Sequence, residues 1–203
     1  MKRIMTLTVS ALLAAATVSA EEGLHPLMIG QEIPDLKLKN VGGEAVGLRA
    51  AAKEQPLVLI FYRGSWCPYC SLHLGQLQEI DPQLREMGYR IMAISPDLPA
   101  NLKTSVEKGE LTYTLLSDST MAAAKAFGLA FTVDDATLAK YEEYGINLET
   151  ASGEKHHMLP VPAVFLIGQD GIIDFVYANP DYKTRIDSEV LLAAAKAALK
   201  TAP

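Results

Sequence analysis

Leu57-Val58-Leu59-Ile60-Phe61-Tyr62-Arg63-Gly64-Ser65-Trp66-Cys67-Pro68-Tyr69-Cys70 joins a fully apolar run to a short turn and two cysteines, the only two of the chain. Pro56 opens the run, which reads as a strand buried on both faces. From Cys67 onward, Leu74, Leu77, Leu84 and Met87 keep one apolar stripe, so a long amphipathic helix follows, with Pro82 expected to kink it. A disulfide between Cys67 and Cys70 closes so small a loop that it constrains little of the unfolded chain, which makes stapling a poor reason for the pair. A strand that feeds Trp-Cys-x-x-Cys into a helix N-terminus suits redox chemistry instead, because the unpaired N–H groups there stabilise a thiolate.

The 203 residues are 49% hydrophobic and 21% charged, enough for one globular domain with a real core. A net charge of −6 without a dense Lys/Arg cluster argues against nucleic acid or an anionic membrane as the main partner. Lys2 and Arg3 precede an apolar segment, Ile4 to Val18, and small residues at Val18 and Ala20 stand before Glu21-Glu22. Residues 1–20 therefore read as a cleavable signal peptide and residues 21–203 as the mature domain. The segment falls short of the roughly 20 residues of a membrane span and lacks a basic stop-transfer flank, so stable membrane insertion is not expected. A periplasmic location follows, where a reduced thiol pair needs a dedicated donor or acts as an oxidant.

Asp35 to Lys39 and Glu44 to Leu48 read as an N-terminal hairpin around the turn Asn40 to Gly43. Strands are expected at Tyr89–Ile94 and Leu111–Leu116, with a helix from Leu98 to Lys108 between them. Ser117, Asp118 and Ser119 are candidate caps for an Ala-rich helix from Thr120 to Phe127. Between Leu129 and Pro160 lies an insert, helical over Asp134 to Tyr144 and a polar loop over Glu149 to Leu159. Ala163–Ile167 and Ile172–Tyr177 form a strand pair around Gly168-Gln169-Asp170-Gly171. Asp187 or Ser188 then caps a closing helix with Val190, Ala194 and Ala197 along one side. Alternating β and α segments with a final antiparallel hairpin imply an α/β fold on a central mixed sheet flanked by helices.

From Leu27 to Leu199 the chain resembles the AhpC/TSA (peroxiredoxin-like) family of thioredoxin-fold proteins. The residues that carry the resemblance are Phe61 to Cys70, Val161-Pro162-Ala163-Val164-Phe165-Leu166-Ile167, Asp170-Gly171 and Tyr177 to Tyr182. It implies a thioredoxin-like fold with an N-terminal hairpin and an insert before the strand that Pro162 introduces. It also implies a cis Val161–Pro162 bond packed against the dithiol, in preference to a plain proline opening the strand. The pattern departs from the family where peroxide chemistry is concerned. Peroxiredoxins carry Thr or Ser three residues before the peroxidatic cysteine, whereas here Gly64 stands before Cys67 and Cys67 before Cys70. They place an Arg ahead of the later strand, where this chain has Pro162. Arg63 is the candidate substitute cation, against the alternative of a salt-bridged surface arginine.

Cys67, nearest the helix N-terminus, is expected to be the exposed nucleophile, and Cys70 the buried partner that resolves the mixed disulfide or sulfenic acid. The reverse order stays open, because a Thr-x-x-Cys site aligned on Cys67-x-x-Cys70 puts the peroxidatic sulfur second. Trp66 is read as a shield for the site. His73, one turn beyond Cys70, either manages the proton of Cys70 or is a partly exposed surface group. The expected activity is an antioxidant thiol oxidoreductase that reduces hydroperoxides or exchanges with protein disulfides. Its partners would be a hydroperoxide and a periplasmic thiol reductant or disulfide-bonded protein, with no cofactor and no metal. The alternative is a periplasmic copper carrier built from Cys67, Cys70 and a histidine such as His156 or His157, although such carriers space their cysteines by three residues.

Overall fold

The computed structural model describes residues 23–201, so the signal-peptide segment and its cleavage point lie outside the described residues. The hairpin forms from β1 (Lys37–Asn40) and β2 (Ala45–Gly47), followed by a helix not read from the sequence, α1 (Leu48–Glu54). Then come β3 (Leu57–Phe61), α2 (Pro68–Glu86), β4 (Arg90–Ser95), α3 (Pro99–Gly109) and β5 (Thr114–Ser117). A short α4 (Ala122–Ala126) leads into the insert, which holds β6 (Ala130–Thr132), α5 (Asp135–Glu143), α6 (Leu148–Ser152) and β7 (Met158–Pro160). The chain closes with β8 (Ala163–Ile167), β9 (Ile173–Ala178) and α7 (Ser188–Thr201). Among the described residues no helix is long and apolar enough to cross a membrane.

The main sheet has the order β2-β1-β5-β4-β3-β8-β9. β3 sits between parallel β4 and antiparallel β8, with Phe61 beside both Ile94 and Ala163. Its five side chains are at most 1% exposed, and burying each stabilises the fold by roughly 1.5–3 kcal/mol. The period of two divides them between two cores. Val58, Ile60 and Tyr62 face Leu74, Leu77 and Leu84 of α2 and Leu191 and Ala195 of α7. Leu57, Leu59 and Phe61 face α1 and α4, where Phe61, Phe127 and Phe165 meet with ring centroids 4.9–6.1 Å apart. This is the thioredoxin-like α/β arrangement that the resemblance implies.

α2 is continuous through Pro82. Three expectations are corrected. The buried stripe of α7 is Leu191, Ala195 and Ala198, one position on from that expected, and Val190 is 53% exposed. An Ala-rich helix offers little contrast in side-chain size, so its periodicity fixes the facing residues poorly. The tail of the insert is not a loop: Asn147 caps α6 by accepting from the Thr150 N–H at 2.7 Å, and β7 pairs with β6. No described peptide bond is cis, so Val161–Pro162 is trans. Both residues are tied to the flanking chain, the Val161 N–H donating to the Leu129 carbonyl at 2.8 Å and the Pro162 carbonyl accepting from the Asn179 N–H at 3.2 Å. Two caps are where the sequence places them. Asp118 accepts from the N–H groups of Ala123 and Ala124 at 2.9 and 2.8 Å, and Asp187 accepts from Glu189 at 2.7 Å.

Candidate active site

At the C-terminal end of β3 the chain turns sharply to start α2. Gly64 has φ +150°, and a Cβ there would lie 2.4 Å from Trp66 Nε1, so only glycine lets the indole fold back over the turn. The Ser65 N–H donates to Asp97 Oδ2 at 2.7 Å, which pins the turn to the end of β4. Asp97 is fully buried, and burial raises its pKa. Cys67 then serves as N-cap of α2 with extended backbone, and Pro68 takes the first helical position, where its missing N–H costs nothing.

Both cysteines are free. The Cys67 pKa is lowered to about 6, first by the hydrogen bond from the Cys70 thiol, then by the Cys70 backbone N–H and the charges of Arg63 and Arg185, against the opposing effect of burial. The Cys70 pKa is raised, because its thiol donates to Cys67 and is itself buried. One proton is thus shared by the pair and rests on Cys70. Cys67, expected to be exposed, is only 2% exposed, and Cys70 1%. Both belong to the core cluster on the α2 side of the sheet, against which Trp66 packs.

Arg63 is no surface arginine: it is 4% exposed and pairs with no carboxylate among the described residues. Its guanidinium carbon lies 3.9 Å from the ring centroid of Tyr182, 5.2 Å from that of Trp66 and 5.6 Å from that of Tyr141, and Nη2 donates to the Tyr141 hydroxyl. Three aromatic faces offset the cost of burying the charge without cancelling it. A second guanidinium, Arg185 on the loop before α7, donates from Nη2 to Cys70 Sγ at 3.3 Å. His73 is 5% exposed rather than at the surface, and burial, then Arg185, lower its pKa to about 4. It is therefore the neutral imidazole at pH 7, which carries one N–H and can accept a second proton.

The ligand set of a copper carrier does not assemble. His156 uses Nε2 on the Ser119 carbonyl and Nδ1 to accept from the Met158 N–H, while His157 meets Glu149 at 2.8 Å. Among the described residues no three His, Cys, Asp or Glu side chains form a metal cluster. The structure thus brings together Arg63, Trp66, Cys67 and Cys70, and leaves Pro162 as a trans residue of the β7–β8 connection. Sequence reasoning missed Asp97, Tyr141, Tyr182 and Arg185. Tyr182 lies in a stretch that carried the family resemblance, and the other three stand in no recognisable pattern.

The profile of the AhpC/TSA family matches residues 29–176. Peroxiredoxin Bcp of Escherichia coli is 29% identical over 169 residues, covering 83% of this chain and 96% of the relative. A putative peroxiredoxin bcp of Haemophilus influenzae is 31% identical over 106 residues, 52% of this chain and 68% of its own length. The crystal structure of peroxidoxin BcpB from Mycobacterium tuberculosis superposes with a TM-score of 0.65 at 20% identity, covering 83% of this chain and 96% of that one, which shows the shared fold.

A lowered thiol pKa predicts that alkylation of Cys67 by iodoacetamide reaches half its maximal rate near pH 6. Removing a group that favours the thiolate raises that midpoint. Cys70→Ala should therefore move it upward, and by more than Arg63→Met, because the Cys70 thiol is the larger cause. Mass-resolved alkylation across pH reads both shifts.

Proposed function

Because the chain belongs to the AhpC/TSA family, we propose that it is a thiol-dependent peroxidase that passes Cys67 and Cys70 between dithiol and disulfide. The observation that carries this reading is a thiolate-favouring Cys67 at a helix N-terminus, beside a buried cation that no carboxylate among the described residues neutralises. Cys67 S⁻ attacks one oxygen of the hydroperoxide, the O–O bond breaks, and the departing alkoxide or hydroxide takes up a proton. Cys67 is then a sulfenic acid. The Cys70 sulfur attacks it, forming the disulfide and releasing water. A thiol reductant returns two electrons and two protons to complete the cycle. The burial of both sulfurs in the reduced form favours an oxidant of a few atoms over a folded protein disulfide.

Arg63 is positioned to stabilise charge on sulfur and on the departing oxygen, and Arg185 to assist the Cys70 sulfur as it becomes a nucleophile. Trp66 holds Arg63 from one side and roofs the turn. We also propose that the mature protein is periplasmic and starts at Glu21. This rests on the basic, apolar and small-residue pattern of residues 1–20.

Stopped-flow mixing of the reduced protein with hydrogen peroxide should show oxidation far faster than that of a free thiol at the same pH. Cys67→Ser should abolish it, whereas Cys70→Ser should consume one equivalent and hold a sulfenic acid on Cys67, seen as one added oxygen by mass. Oxidation no faster than a free thiol would overturn the function. Exchange of the two mutant phenotypes would make Cys70 the peroxidatic sulfur. Intact-mass analysis of exported protein should begin at Glu21, and retention of Met1 would overturn the periplasmic assignment.

A further inference from the structure

The hydroperoxide step, on which this inference rests, needs a proton for the departing oxygen, because an alkoxide or hydroxide is a poor leaving group near neutral pH. The groups around Cys67 differ in what they can give. A guanidinium such as Arg63 stabilises charge but keeps its protons. His73 is neutral at pH 7, its pKa lowered by burial and then by the charge of Arg185. Asp97 sits beneath the turn, with one carboxylate oxygen already held by the Ser65 N–H and the Ser95 hydroxyl. Tyr182 turns its ring face, not its hydroxyl, to the Arg63 guanidinium.

Tyr141 differs from all of these. It stands on α5, the insert helix, none of whose residues is buried, yet its ring lies 5.5 Å from that of Trp66, the residue before Cys67. Its phenol oxygen accepts a hydrogen bond from Arg63 Nη2, and no acceptor among the described residues takes the phenol proton. A donor with an uncommitted proton, polarised by a buried cation, therefore stands on the insert beside the ring of Trp66 and within electrostatic reach of Cys67. Burial raises its pKa while Arg63 opposes the rise, and its titration senses Cys67. The proton is thus present at neutral pH.

We propose that Tyr141, held by Arg63 and carried over the dithiol by the insert, is the general acid of peroxide reduction. As Cys67 S⁻ forms its bond to oxygen and the O–O bond breaks, Tyr141 O–H transfers its proton to the departing oxygen, giving an alcohol or water. The tyrosinate left behind is stabilised by Arg63 and takes a proton back from solvent. Electron flow is confined to sulfur and peroxide, two electrons passing from Cys67 to the O–O bond.

The test exploits the leaving group. Tyr141→Phe keeps the ring against Trp66 and Arg63 and removes only the hydroxyl. With hydrogen peroxide or tert-butyl hydroperoxide, oxidation of the reduced variant should slow by about 10²-fold, the low end of the range for general acid catalysis. With peracetic acid, whose departing acetate needs no proton, the variant should match the wild type. Alkylation of Cys67 by iodoacetamide, which needs a thiolate and no acid, should also be unchanged. Equal losses with hydroperoxide and peracid would mean that Tyr141 only shapes the site, and no loss with either would remove it from the reaction, so both overturn the proposal. A wild-type protein that reacts with every oxidant no faster than a free thiol would overturn the peroxidase function and this assignment with it.

Discussion

The guanidinium of Arg63 is buried without a carboxylate and held by the faces of Tyr182, Trp66 and Tyr141, and the arrangement of the site depends on that contact. A buried cation is costly unless something compensates it. An ion pair would compensate it by cancelling its field, whereas aromatic quadrupoles do so weakly and leave the charge free to act on an anion nearby. The three rings come from the active-site turn, the insert and the segment before α7. The contact thus draws distant parts of the chain over one pair of sulfurs. Gly64 makes the contact possible by letting Trp66 fold back, and the hydrogen bond from the Ser65 N–H to Asp97 holds the turn that carries both.

The insert takes on a meaning through this contact that its own packing would not give it. Its small apolar cluster, Val133, Leu148 and Leu159, reaches the rest of the site through Trp66 and Tyr141. The nine-residue helix α5 has no fully buried side chain and is held by Leu138 and Tyr141, which pack on that cluster, together with the Trp66 ring and the Arg63 hydrogen bond. Segments held by few buried contacts open at low cost in free energy.

Much of this was legible in the sequence, for identifiable reasons. The run Leu57–Phe61 could only be a strand buried on both faces, and the stripe of α2 was clear because leucines contrast with the polar residues between them. The dithiol followed from a cysteine spacing that suits no other use well. The cage around Arg63 was not legible, because Tyr141 is 78 residues away in sequence, on a helix with no fully buried residue. Arg185 lies 115 residues from Cys70, on a loop where nothing local distinguishes it from a solvated arginine. Exposure was misjudged for Cys67 and left open for His73 and Arg63, since each is covered by residues that only the tertiary fold brings near. The cis bond at Pro162 was inferred from kinship rather than from local constraint, and the peptide is trans.

The account stands or falls on whether the charge of Arg63 acts in the reaction itself and not only on the protonation of Cys67. The most direct measurement is the second-order rate constant of reduced wild-type and Arg63→Met protein with hydrogen peroxide, each corrected for its own fraction of thiolate. Methionine fills the space among the three rings without the charge. The corrected constant should fall by about 10²–10³-fold, as for the loss of a preorganised group that stabilises developing negative charge. An unchanged corrected constant would contradict the account, because the buried cation would then do no more than lower a thiol pKa.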